Sequence, residues 1–119
     1  MLANTLTLTI GANPAITLTR KQDDKGASYY YYGDSTKVIN LTFRSDTRTN
    51  KASGDVMNVF NGSLVYEEAD TPTVIGKTYT ASFTGQYSKF GDPTLEVNLN
   101  KALHTTVSGI LTQLAAGEV

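Results

Sequence analysis

The chain has no cysteine and no tryptophan, and among its 119 residues only one histidine, two methionines and three prolines. Without cysteine it can carry neither a disulfide framework nor a thiolate metal site. The single histidine, His104, falls in or beside an apolar stripe at helical spacing. Ser-His-Asp and Cys-His arrangements therefore lack their parts, and no enzyme is expected. Long hydrophobic runs are missing as well. The apolar residues of the N-terminus are interrupted at every second position and no basic segment precedes them, so neither a signal peptide nor a membrane span is expected. An excess of one charge sign is also lacking: ten basic and eleven acidic residues give a formal charge of -1 at pH 7. That excludes coating nucleic acid by bulk charge and leaves any such role to a local patch. Asp23, Asp24, Asp34 and Asp70 offer oxygens of the kind Ca²⁺ takes, but no loop has the regular acidic spacing of an EF-hand. They read as turn residues, and no metal or other cofactor is expected.

What the chain does have is strands first and helix last. Thr5–Ile10 and Ala15–Arg20 alternate apolar with polar residues and are rich in Thr and Ile, which suit a pleated, half-buried surface. Gly11-Ala12-Asn13-Pro14 between them is a turn, because Gly permits positive φ and Pro fixes its own. Residues 1–20 thus form an N-terminal β-hairpin. Residues 21–26 read as a polar turn, and Ser28–Tyr32 as a short strand ended by Gly33-Asp34-Ser35. Lys37–Ser45 is the clearest strand, with Ile39, Leu41 and Phe43 on one face and Val38, Asn40, Thr42 and Arg44 on the other. Residues 46–55 read as a polar, basic loop. Strand character resumes over Val56–Tyr66, where Asn61-Gly62 implies a bulge or a close backbone approach. After a loop at 67–77, Thr78–Ser88 alternates again, with Tyr79, Ala81, Phe83 and Tyr87 on one face.

Asp92-Pro93 then marks a helix start, a capping carboxylate before a proline that needs no donor at the first helical position. Leu95, Leu99, Leu103, Val107, Ile110, Leu111 and Leu114 follow at three-to-four spacing. Thr105-Thr106 and Ser108-Gly109 are poor helix residues, so the tail reads as one helix or as two joined at a bend. The expected class is α+β within a single domain, 1–119, divided into the hairpin (1–20), the sheet (28–90) and a helical tail (93–116).

The polar sheet face carries the functional question. Asn40, Thr42 and Arg44 on one strand, with Thr80, Ser82 and Thr84 on another, form a platform of hydrogen-bonding groups. Unpaired bases of RNA are read by such groups, yet many solvated sheet faces carry Thr and Arg for no such purpose. Tyr29–Tyr32 raises base stacking, but in a strand two of the four point each way. Glu67 and Glu68, being adjacent, point to opposite faces of an extended segment and make no acid-base pair.

The whole chain resembles the coat proteins of single-stranded RNA bacteriophages, the levivirus-type coats. The resemblance lies in the N-terminal hairpin, in Asp24-Lys25-Gly26-Ala27-Ser28-Tyr29-Tyr30-Tyr31 before a short strand, and in Val38–Ser45 with Arg44 near its end. It continues through Phe83-Thr84-Gly85-Gln86-Tyr87-Ser88 into the helical tail. It implies a hairpin followed by a five-stranded antiparallel sheet, and C-terminal helices packing across a two-fold homodimer. The exposed strand edge, a liability in a lone sheet, would be consumed by that interface. Dimers would close into an icosahedral shell around single-stranded RNA, in the virion and, during assembly, in the host bacterial cytoplasm. Asn40, Thr42 and Arg44 match positions that face RNA in that family, with Asn61 on the next strand; Thr80, Ser82 and Thr84 join them by face parity alone. The rival from another class is a small nucleic-acid- or ligand-binding sheet module that never forms a shell.

Overall fold

The computed structural model describes residues 2–24, 27–49 and 51–118, the side chains of residues 22–24 excepted. Six strands follow one another in a single sheet in chain order: β1 (Thr5–Leu8), β2 (Ile16–Asp24), β3 (Ala27–Gly33), β4 (Lys37–Thr49), β5 (Val56–Glu68) and β6 (Thr78–Ser88). Two helices come after them, α1 (Pro93–Ser108) and α2 (Leu111–Ala115).

The sheet has six strands and not the five expected beside a separate hairpin, because the hairpin joins the sheet through β2. That strand runs on to Asp24, pairing antiparallel with β1 on one side and β3 on the other. A bulge between Arg20 and Gln22 absorbs an extra residue. Lys21–Asp24 is therefore strand and not turn; Lys25 and Gly26 lie outside the described residues. Its backbone groups are paired whatever the polarity of its side chains, and local sequence does not show that. For the same reason β4 continues past Ser45 to Thr49, into a segment whose composition reads as loop.

The chain divides into two compact units, Met1–Asp46 with Phe60–Thr84, and Thr47–Val59 with Gly85–Val119. In the first, Leu18, Tyr30 and Ile39 are fully buried, with Leu6, Ile16, Leu41, Phe43 and Leu64 packed against them. Phe43 stands edge-on to Tyr30, ring centroids 6.0 Å apart, and 6.3 Å from Phe83. Gly62 lies beneath those two rings. A Cβ there would collide with Phe83 and stand 3.0 Å from Cδ1 of Phe43, so the glycine marks a close approach. The Tyr30 hydroxyl donates to the Ala3 carbonyl at 2.5 Å, and the Arg20 guanidinium to the Leu2 carbonyl at 3.1 Å, fastening the N-terminal segment. The expected turn at 11–14 is present: Gly11 has φ +58, and the Asn13 N–H donates to the Ile10 carbonyl at 3.1 Å.

In the second unit α1 begins as expected. The Asp92 side chain accepts from the Thr94 N–H at 2.9 Å, and Pro93 opens the first turn. Thr105 and Thr106 remain helical, the Thr105 hydroxyl donating back to the Lys101 carbonyl at 2.9 Å. The break comes at Gly109, whose N–H donates to the Thr106 carbonyl at 3.2 Å while the Ile110 N–H donates to the Val107 carbonyl at 3.0 Å. The tail is thus two helices. Neither has a buried residue, and Leu95, Leu99, Leu103, Ile110, Leu111 and Leu114 are all exposed. Among the described residues no helix is long and apolar enough to cross a membrane.

Candidate nucleic-acid interface

The register between β3 and β4 sorts the tyrosine run. Tyr30 lies opposite Leu41 and Tyr32 opposite Ile39, on the apolar face; Tyr31 lies opposite Asn40 and Tyr29 opposite Thr42, on the polar face. Arg44, opposite Ala27, shares that polar face. Its guanidinium donates to the Tyr29 hydroxyl at 3.2 Å and lies 6.0 Å from that ring's centroid. The ammonium of Lys21 sits 4.1 Å from the centroid of Tyr31. Lys21 follows Thr19, the partner of Tyr31, by strand alternation, and so reaches this face; the bulge after Arg20 leaves it without a paired residue on β3.

The remaining candidates fall on the same side by alternation. On β5, Leu64 and Tyr66 pack with the core and Gly62 lies beneath Phe43 and Phe83, which turns Asn61 to the opposite face. On β6, Phe83 and Tyr79 meet Phe43 and Tyr66 respectively, so Thr80, Ser82 and Thr84 face away from them. All seven predicted residues, Asn40, Thr42, Arg44, Asn61, Thr80, Ser82 and Thr84, thus lie on one face of the first unit. Thr42 and Asn61 are half-buried and the other five exposed. Sequence reasoning did not place Lys21, Tyr29 and Tyr31 on this face, where the structure has them. The tyrosines were detectable by parity once their strand register was known, and Lys21 by alternation from Thr19 once β2 is known to run past Arg20.

Outside this face, the carboxylate-bearing turns serve the backbone. Asp34 accepts from the Thr36 N–H and hydroxyl, both at 2.7 Å, from the Lys37 N–H at 2.9 Å and from the Tyr32 hydroxyl at 2.8 Å. The Thr36 hydroxyl and N–H, followed by the Tyr32 hydroxyl, hold its carboxyl well below the usual carboxylate range. The hydrogen bond to Asp34 in turn pushes the Tyr32 phenol up. Asp70 accepts from the Gly76 N–H at 2.7 Å, closing the loop between β5 and β6. His104 is exposed on α1, and Glu67 and Glu68 are exposed at the end of β5. The apolar face of the sheet carries a concavity of about 290 Å³ lined by Leu8, Ile10, Ile39, Leu64, Tyr66 and Tyr79.

Two comparisons bear on this arrangement. The family model described as "Phage phiCb5, coat protein" matches residues 3–87, which takes in β1–β5, nearly all of β6 and every polar-face residue named above. No curated protein matches the chain.

Proposed function

The chain belongs to the phage phiCb5 coat protein family and is a virion structural protein, and from that premise we propose that it is a coat of the single-stranded RNA phage kind. Two copies form a homodimer, dimers close into an icosahedral shell, and the polar sheet face lies against packaged RNA. The observation that carries this reading is the exposed apolar stripe of the tail. Leu95, Leu99, Leu103, Ile110, Leu111 and Leu114 stand in water on two helices that have no buried residue. Large apolar side chains left exposed together in this way call for a contact surface, here a second copy of the chain.

A second copy accounts for several features together. The apolar concavity at Leu64, Tyr66 and Tyr79 offers a partner's helix a seat. Strand β6 forms an edge of the sheet and is eleven residues long, a template for pairing unless another strand takes it. Pairing of β6 with its two-fold mate uses that edge, and obligate interfaces of this type bury ~2,000–5,000 Å². The loop after β5, with Val74 and Ile75 exposed at its tip, gathers at the shell's symmetry axes. On the polar face Asn40, Thr42 and Arg44 contact RNA, supported by Asn61, Thr80, Ser82 and Thr84. With a net charge of -1 these contacts steer packaging more than they power assembly.

Expression of the full chain in bacteria tests the proposal. Closed particles that carry nucleic acid are expected, along with empty or RNA-poor particles from Arg44→Ala. A soluble protein that stays monomeric over a wide range of salt and concentration would contradict it.

A further inference from the structure

Resting on the RNA-face reading above, we infer that Tyr29 and Tyr31 form a two-station stacking platform for neighbouring bases of an unpaired strand, each ring with its own cation. Four observations support it. Both rings lie on the polar face, beside Asn40 and Thr42, which offer hydrogen bonds to base edges. Both are only half-buried, so part of each ring is open. Each is attended by a cation, Arg44 at Tyr29 and Lys21 at Tyr31.

The fourth is the seat of the second ring. Tyr31 extends along its strand over Gly33, where a Cβ would collide with the hydroxyl and stand 2.8 Å from Cζ. The missing side chain at 33 lets the ring lie low along the sheet, where a base can cover it.

Spacing selects the ligand. Same-face positions two residues apart on a strand are separated by ~6.6 Å, whereas bases in a duplex rise only ~3.4 Å per step along each strand. Adjacent bases of a duplex cannot occupy both rings. Bases of an unpaired strand, parted from each other, can take one ring each. Lys21 has a part in this exchange. Its ammonium is a point charge on a flexible stem, so when a base covers Tyr31 it can leave the ring for the incoming phosphate. Stacking on aromatic faces tolerates any base. The platform therefore holds single-stranded stretches of a genome without reading their sequence.

Full-length protein freed of RNA is titrated with an end-labelled oligouridylate and with the same strand paired to oligoadenylate, following anisotropy. The wild type is expected to prefer the single strand. The pair Tyr29→Leu and Tyr31→Leu should weaken single-strand binding by about tenfold or more, since each lost stack is worth about 5- to 150-fold. Tyr29→Phe with Tyr31→Phe should recover most of that binding, because phenylalanine keeps the ring. Gly33→Ala, which displaces one ring without removing it, should weaken the single strand several-fold and decides the matter if the leucine pair does not fold. Wild-type affinity in the leucine pair or in Gly33→Ala, while Asn40→Ala and Arg44→Ala lose the strand, would overturn the platform and leave the RNA face standing. Wild-type affinity in all of these variants would remove the RNA face itself, and the platform with it.

Discussion

Replacing Leu99 and Leu103 with alanine should split the proposed dimer while leaving each chain's own fold intact. The two side chains lie one helical turn apart on α1 and are 55% and 58% exposed in the single chain. Fully burying a leucine is worth ~1.5–3 kcal/mol, so the part still exposed is worth roughly 1–1.5 kcal/mol per side chain when a partner covers it. Two sites on two chains give roughly 4–6 kcal/mol, and the methyl that alanine keeps lowers this to roughly 3–5 kcal/mol per dimer. At 1.4 kcal/mol per tenfold, the dimer constant should weaken by about 10²- to 4 × 10³-fold. Sedimentation velocity over a concentration series measures that constant directly, and electron microscopy of the same samples reports shell yield. The opposite outcome has an equally clear physical signature. If the stripe stays in water, the exchange touches nothing, and alanine, the better helix former, leaves stability within about 0.5 kcal/mol. Unchanged dimerisation with unchanged shells would refute the reasoning.

Three further outcomes follow from the geometry. Gly62→Ala forces a Cβ against Phe83 and Phe43; overpacking of this kind costs about 1–3 kcal/mol, which a lowered urea midpoint should report. Removing the Tyr30 hydroxyl with Tyr30→Phe leaves the Ala3 carbonyl without its donor; a loss of about 1 kcal/mol and faster hydrogen exchange near the N-terminus are expected. Asp34 has a depressed pKa, so its contribution is present above the unfolded value of 3.8 and is lost as pH falls through the lower folded value. Asp34→Asn should therefore flatten the acid side of the stability-pH curve below about pH 4, and an acid limb identical to the wild type would show that the turn does not supply it.

Much of the fold was legible because it is local. The Asp92-Pro93 start of α1, the Gly11 turn and the alternation through Ile39, Leu41 and Phe43 each follow from a few adjacent residues. What escaped depends on partners far along the chain. Lys21–Asp24 looks like a turn by composition and is strand because β3 pairs with it. The count of six strands instead of five follows because the hairpin is not separate: β2 pairs with β3 from Thr19 onward and brings β1 into the same sheet. The polar face was readable from parity, so Asn40, Thr42 and Arg44 could be placed together, and Thr80, Ser82 and Thr84 beside them. Tyr29 and Tyr31 were divided correctly from Tyr30 and Tyr32, but which pair faced the polar side needed the register with Asn40 and Thr42. Lys21 shares the face of Thr19 by alternation, but its place over Tyr31 was hidden because the strand was not expected to pass Arg20.

The central claim is that this chain completes itself with further copies around RNA. Negative-stain electron microscopy of the sizing-column peak after bacterial expression, combined with the ratio of nucleic-acid to protein absorbance, tests it most directly. Uniform closed shells rich in nucleic acid are the predicted result. A small species free of RNA at every salt and protein concentration would contradict it.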